Sequence, residues 1–319
     1  MAYSAGNTIL DDDYNIFATG NADGSGDAGV ANINTILGVG DNERGYGQSG
    51  GLSAVSAGST VAATEWASLL TKNTLLANHQ GTTITGISNP TAGNTISAYA
   101  ALSANVTATF DGKLDAAASG SDITRTTTTT ASWNTSSTLS QTITFPSRNE
   151  LRYFFNAGGM IRCSWSRTGG TTSSQNTAWT DTLTAAGSIV LTSDGASKTI
   201  AGVTYTGTTK IGGSGTNQIL LTGSGVLDMS STPAIYFKQI PPTGYGDNEI
   251  EVSMSIPADG TVITILTDLS DDYTPPDPGS PDLVDGTLTQ VSTIRYPSTT
   301  YLADTWGTVT QNSPSWVQS

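Results

Sequence analysis

The side chains able to do chemistry are few in this chain, and their spacing decides what they can be. There is one histidine, His79, and one cysteine, Cys163, in 319 residues. A serine or cysteine hydrolase needs a histidine as general base with a nucleophile brought beside it. His79 ends an apolar run at helical spacing, Cys163 falls inside an alternating one, and no serine sits in a nucleophile-elbow pattern. The expected roles are a helix C-terminal histidine satisfying carbonyls and a core cysteine. One histidine and one cysteine also leave too few of the usual ligands for zinc.

Gly24-Ser25-Gly26-Asp27-Ala28-Gly29 spells G-x-G-x-x-G. Dinucleotide binding requires a buried strand before that motif and a helix after it, so that the pyrophosphate meets the helix N-terminus. Here an acidic loop precedes it and no βαβ unit follows, so a turn is expected. The remaining candidates are carboxylates. Asp271, Asp272, Asp277, Asp282 and Asp285 form the densest group and are candidate calcium ligands, since calcium takes six to eight hard oxygens. Their spacing is not that of an EF-hand, and prolines at 275, 276, 278 and 281 favour an extended, solvated loop. Asp11, Asp12 and Asp13 are expected to cap a turn. Paired carboxylates are also what glycan hydrolysis needs, and Tyr245, Tyr273 and Tyr301 are of the type that stacks on sugars. Packing in loops or interfaces is the plainer expectation for them. The chain is read as non-enzymatic, without a cofactor.

Composition constrains the scaffold. Charged residues make up 12% of the chain, about half of what globular domains usually carry. Polarity comes from Thr, Ser, Asn and Gln, with 36 Gly and 12 Pro. Thr favours strands while Gly, Asn and Pro punctuate turns, which suits many short strands. The net charge of −14 comes mostly from Asp, a residue of loops and caps. Such a surface repels phosphate backbones and anionic lipids, so neither nucleic acid nor membrane is an expected partner. The opening residues Met1 to Gly6 show no basic or apolar signal segment, and no apolar run reaches membrane-spanning length.

The elements follow from periodicity. Residues 1–60 read as loop, ordered by a partner surface. A helix is expected over about 64–80, with Thr64 as N-cap, Glu65 in the first turn, and Trp66, Leu69, Leu70, Leu76 and Ala77 on one face before Gly81. A second is expected from about Ser97 to Ala118 on Tyr99, Leu102, Val106, Phe110 and Leu114. Sheet begins between Ala118 and Thr126. Leu151, Tyr153 and Phe155 read as one arm of a hairpin turning at Asn156-Ala157-Gly158-Gly159, with Ile161, Cys163 and Trp165 on the other. A short helical turn around Thr177 to Ala185 precedes a strand at Ile189 to Leu191. Further strands are expected around Val203, Ile219 to Leu221, Ile235 to Phe237, Ile250 to Ile256 and Val262 to Leu266. The polar tail from Thr308, carrying Trp316, is expected to dock on a neighbour or stay mobile. The fold class is mainly β: a loop-rich N-terminal region with one or two helices (1–120), then one or two antiparallel β-sandwich modules (121–319).

Three segments carry a resemblance. They are Tyr46-Gly47-Gln48 with Thr64-Glu65-Trp66 and Asn78-His79-Gln80-Gly81, Arg152 to Arg162 with Asn176-Thr177-Ala178-Trp179, and Val284 to Thr289. In these the chain resembles structural and tail-associated virion proteins of marine and cyanobacterial tailed bacteriophages. The resemblance implies a virion component of tail, baseplate or fibre, made in the host cytoplasm and partnered by other virion proteins. It also implies a homo-oligomer, with a homotrimer preferred by analogy to fibres. A capsid decoration protein and a glycan-binding module or hydrolase acting at the host surface are the alternative expectations.

Overall fold

The computed structural model describes residues 10–38, 45–89, 99–242, 244–272 and 283–319. The chain is mainly β, with helices before the sheets. The helices α1 (Asp11–Thr19), α2 (Ile33–Leu37), α3 (Ala63–Gln80) and α4 (Tyr99–Asp111) come first. The strands then begin with β1 (Ser119–Thr129) and β2 (Ser136–Thr144), followed by α5 (Arg148–Asn156), β3 (Met160–Thr168) and α6 (Ser174–Ala186). Next come β4 (Ser188–Leu191), β5 (Ser197–Ile200), β6 (Val203–Thr206), β7 (Thr208–Ile211), β8 (Asn217–Leu220) and a 3₁₀ turn at Val226–Asp228. The order closes with β9 (Ala234–Gln239), β10 (Glu249–Ser255), β11 (Val262–Ser270), β12 (Thr287–Pro297), β13 (Thr310–Gln311) and β14 (Val317–Gln318).

Two antiparallel sheets form the body. One runs β1-β12-β3-β4-β7; the other runs β13-β2-β11-β10-β9-β8, with β14 also on β2. Strand periodicity sets their inner faces. Leu288, Gln290, Ser292 and Ile294 of β12 point inwards beside Ile161, Cys163 and Trp165 of β3, and Ile263, Ile265, Thr267 and Leu269 of β11 point inwards from the other sheet. Trp165 stacks on Phe237 of β9, ring centroids 6.1 Å apart, and so joins the sheets. A polar chain runs through the same layer. Gln290 Oε1 accepts from Trp165 Nε1 (2.8 Å) and Thr267 Oγ1 (2.7 Å), while its Nε2 donates to Gln141 Oε1 and Ser292 Oγ (both 3.2 Å). Ser292 also donates to Gln141, whose Nε2 reaches Gln311 Oε1 of β13. Every hydrogen-bonding group of Gln290 is used, which makes a buried amide tolerable.

Several expectations change on contact with the structure. The first arm of the expected hairpin is the helix α5. Ser147 Oγ caps it, accepting from Asn149 N (3.1 Å) and Glu150 N (3.5 Å), and also contacts the Glu150 carboxylate. Leu151, Phe154 and Phe155, three and four residues apart, are buried. Glycine at 158 sits at φ +94° against Ala116 and turns the chain into β3, which is a strand as expected. The described residues before 60 also hold more structure than loop. Asp11, Asp12 and Asp13 form the first turn of α1, where the helix dipole favours anions, and do not cap a turn. The extended segments are ordered by this chain's own asparagines. Asn15 brackets Val55 (donating to its carbonyl at 3.0 Å, accepting from its N–H at 2.8 Å), and Asn34 does the same to Leu52 and Asn105 to Thr85. Each side-chain amide imitates a strand neighbour and supplies part of the order from within the chain.

Helix α3 starts at Ala63 with Ala62 at the N-cap, not Thr64; Glu65 Oε2 accepts from Ala62 N at 2.7 Å, and Gly81 ends it at φ +76°. Helix α4 stops at Asp111, before Gly112, well short of Ala118; Ser97 lies outside the described residues. The C-terminal tail docks on its own chain. β13 and β14 pair with β2, and Trp316 is buried with Nε1 donating to the Thr127 carbonyl of β1 at 3.3 Å. One apolar cluster runs from Tyr14 of α1 through both sheets to Trp316. Among the described residues, no helix is long and apolar enough to cross a membrane.

Candidate functional site

The residues singled out for chemistry are dispersed. His79 is buried at the end of α3, edge-on to Tyr46 with ring centroids 5.2 Å apart. It donates to the Ala157 carbonyl beyond α5 and not within its own helix, while Nε2 has no partner among the described residues. Burial pushes its pKa down to about 4. Cys163 lies between the sheets, its sulfur 3.6 Å from Ser292 Oγ, and burial pushes the thiol up to about 11. At that value the thiolate is scarce at neutral pH, which suits a packing role. The glycine motif at 24–29 is a turn after α1, and Gly24, at φ +77°, leaves no room for a Cβ against Ala54.

Of the acidic group, Asp277 and Asp282 lie outside the described residues, as does Tyr273. Asp271 and Asp285 both serve the N-terminus of α6. The Asp271 carboxylate accepts from Gln175 Nε2 at 2.5 and 2.6 Å. Asp285 accepts from the backbone N–H and the hydroxyl of Thr171, from Asn176 Nδ2 and from Arg167, and these bonds, led by the Thr171 N–H, hold its pKa below the ordinary value. Asp272 is exposed. Among the described residues no group of three or more His, Cys, Asp or Glu is placed to hold a metal ion. Tyr301 is 44% exposed, and Tyr245 sits in a turn at φ +48°.

Two features that local sequence does not show are better formed. The first is the outer face of the five-stranded sheet. Since the even positions of β12 from Leu288 to Ile294 are buried, Thr289, Val291 and Thr293 face away from the core. Their direct neighbours are Thr128, Thr126 and Thr124 on β1, and Ser166, Ser164 and Arg162 on β3. The Thr124 and Thr293 hydroxyls are 3.2 Å apart. The result is a plane of hydroxyls and methyls, bounded at one end by the Asp122–Arg295 ion pair (2.8 Å) and Arg162. The β5–β6 hairpin covers the part of this face near Met160 and Val190.

The second is a cavity of about 460 Å³ walled by segments far apart in sequence. Arg148 and Arg152 of α5 stand on one side; Asp194, the Val226–Asp228 turn, Met229 and the β10–β11 connection Ile256 to Gly260 complete it. Leu151, Val226, Met229 and Ile256 are buried apolar lining. Asp194 is held by the buried Lys198, whose Nζ lies 2.8 Å from Oδ1. Asp228 Oδ2 accepts from Gly225 N (2.9 Å) and Gly195 N (3.2 Å). The Arg148 stem lies against Gly260, where an added Cβ would meet its Cγ at 2.7 Å.

Compared with models of known protein families, with curated proteins and with solved structures, the chain matches none of them.

Proposed function

We propose that this chain is a structural protein of a bacteriophage particle, a tail, baseplate or fibre component that works by packing against other subunits. The observation that carries the reading is the hydroxyl face of the five-stranded sheet. Association requires a surface that loses little when it is desolvated and ordered. Long charged side chains lose much; threonine and serine lose little rotamer freedom and present methyls beside groups that bond across a contact. Thr124, Thr126, Thr128, Thr289, Val291, Thr293, Ser164 and Ser166 form such a surface on a rigid sheet. The low charged fraction of the chain extends the same property to the rest of its surface. In this reading residues 1–120 anchor the subunit, the sheets from 121 onward pack laterally or project, and the preferred assembly is a homotrimer.

Light scattering on the purified chain tests it. A mass near three times 32.7 kDa is expected, and Thr126→Lys with Val291→Lys, adjacent on the face, is expected to lower that mass while leaving the far-UV spectrum intact. A wild-type monomer that also fails to enter particles when supplied in an infection would refute the assembly role. Imaging of labelled particles separates tail from capsid lattice.

A further inference from the structure

We infer that the cavity between α5, the Val226–Asp228 turn and the β10–β11 connection is a binding site for a small amphipathic organic anion, a monocarboxylate with an apolar body. This goes beyond the assembly reading and does not depend on it. Segments from residues 148 to 260 converge on the cavity, and its volume lies in the range of ligand sites and not of packing defects. At about 30 Å³ each it has room for roughly fifteen non-hydrogen atoms.

The lining sets the ligand's two ends. Leu151, Val226, Met229 and Ile256 offer apolar surface with no aromatic ring, which favours an aliphatic body over a stacked sugar or base. The charges set the head group. Both wall carboxylates already have partners, Asp194 the Lys198 ammonium and Asp228 two backbone N–H groups. Arg148 is different: it is exposed at the rim, and among the described residues its guanidinium has no hydrogen bond or ion pair, while its stem packs against Gly260. A planar fork of donors at the rim of a cavity that has both apolar and polar walls is an arrangement that takes a carboxylate bidentately, with the aliphatic body against Leu151, Val226, Met229 and Ile256.

The test is calorimetric titration of the full chain with octanoate, against octylammonium as the cation of matched body. Octanoate is expected to bind saturably at one site, with octylammonium at least roughly tenfold weaker. Arg148→Gln is expected to weaken octanoate by a similar factor, and Met229→Trp, which fills the cavity, to abolish binding while the far-UV spectrum is unchanged. Absence of saturable octanoate binding overturns the inference, as does equal or tighter binding of octylammonium. So does octanoate binding that survives Met229→Trp, which would place it elsewhere.

Discussion

His79 makes the stability of this protein depend on pH in a window where few other groups titrate. It is the chain's single histidine, is 2% exposed, and has its pKa pushed down to about 4 by burial. In the unfolded chain the imidazole titrates near 6.5, so between about pH 6.5 and 4 the unfolded state binds a proton that the folded state does not. Stability therefore rises with pH across that window and is lost as the pH falls. Linkage between those two values gives a loss of roughly 2 kcal/mol from pH 7 to 5 and about 3 kcal/mol by pH 4. Most carboxylates stay ionised down to pH 5, so the upper part of the window reports the histidine. Urea denaturation at pH 7 and pH 5 measures it, with His79→Gln as the reference, since glutamine keeps an N–H for Ala157 and does not titrate. The wild type should lose roughly 2 kcal/mol more than the variant over that interval. Equal losses, or a native imidazole resonance titrating near its ordinary pKa, would show that the site admits the charged form and refute the reasoning.

Other perturbations test the packing. Gln290→Leu removes the acceptor shared by the Trp165 N–H and the Thr267 hydroxyl, leaves that hydroxyl without an acceptor between the sheets, and takes one of the two donors from Gln141 Oε1; a loss of about 1–3 kcal/mol in chemical denaturation is expected. Trp316→Ala removes a buried ring and its bond to Thr127; it should cost about 3 kcal/mol and speed amide exchange in β2 and β14. Asn15→Ala leaves the backbone of Val55 without its bracket. It should cost about 1–3 kcal/mol, with faster exchange at the Val55 amide.

What the sequence disclosed follows from where burial is one-sided. Ile161, Cys163 and Trp165 alternate with Arg162 and Ser164 because β3 has a core face and an outer face, so they were legible as a strand. Leu151 to Asn156 are buried all round, and alternation among them carries no information about face. The useful signal there was Ser147 with Glu150, a capping pair that places a helix start. The same holds for α1, where three aspartates followed by Tyr14, Phe17 and Ala18 and a stop at Gly20 spell a short helix. The asparagine brackets are illegible in principle, because each pairs with a backbone group chosen by the fold. The cavity is illegible for the same reason: Arg148, Asp194, Asp228 and Gly260 become neighbours only after both sheets have formed.

The pairing of β1 with β12 ties folding to the order of synthesis. Ile123 waits for Ile294, and Thr127 for Gln290. At ribosomal rates of about 5–20 residues per second, the delay is on the order of ten to thirty seconds. Throughout it β1 is a strand without its partner, the kind of segment that nucleates aggregation when it is apolar. Its run Thr126 to Thr129 offers β-propensity without hydrophobic surface. The threonines thus keep the nascent chain safe until the strand that completes the sheet has been made.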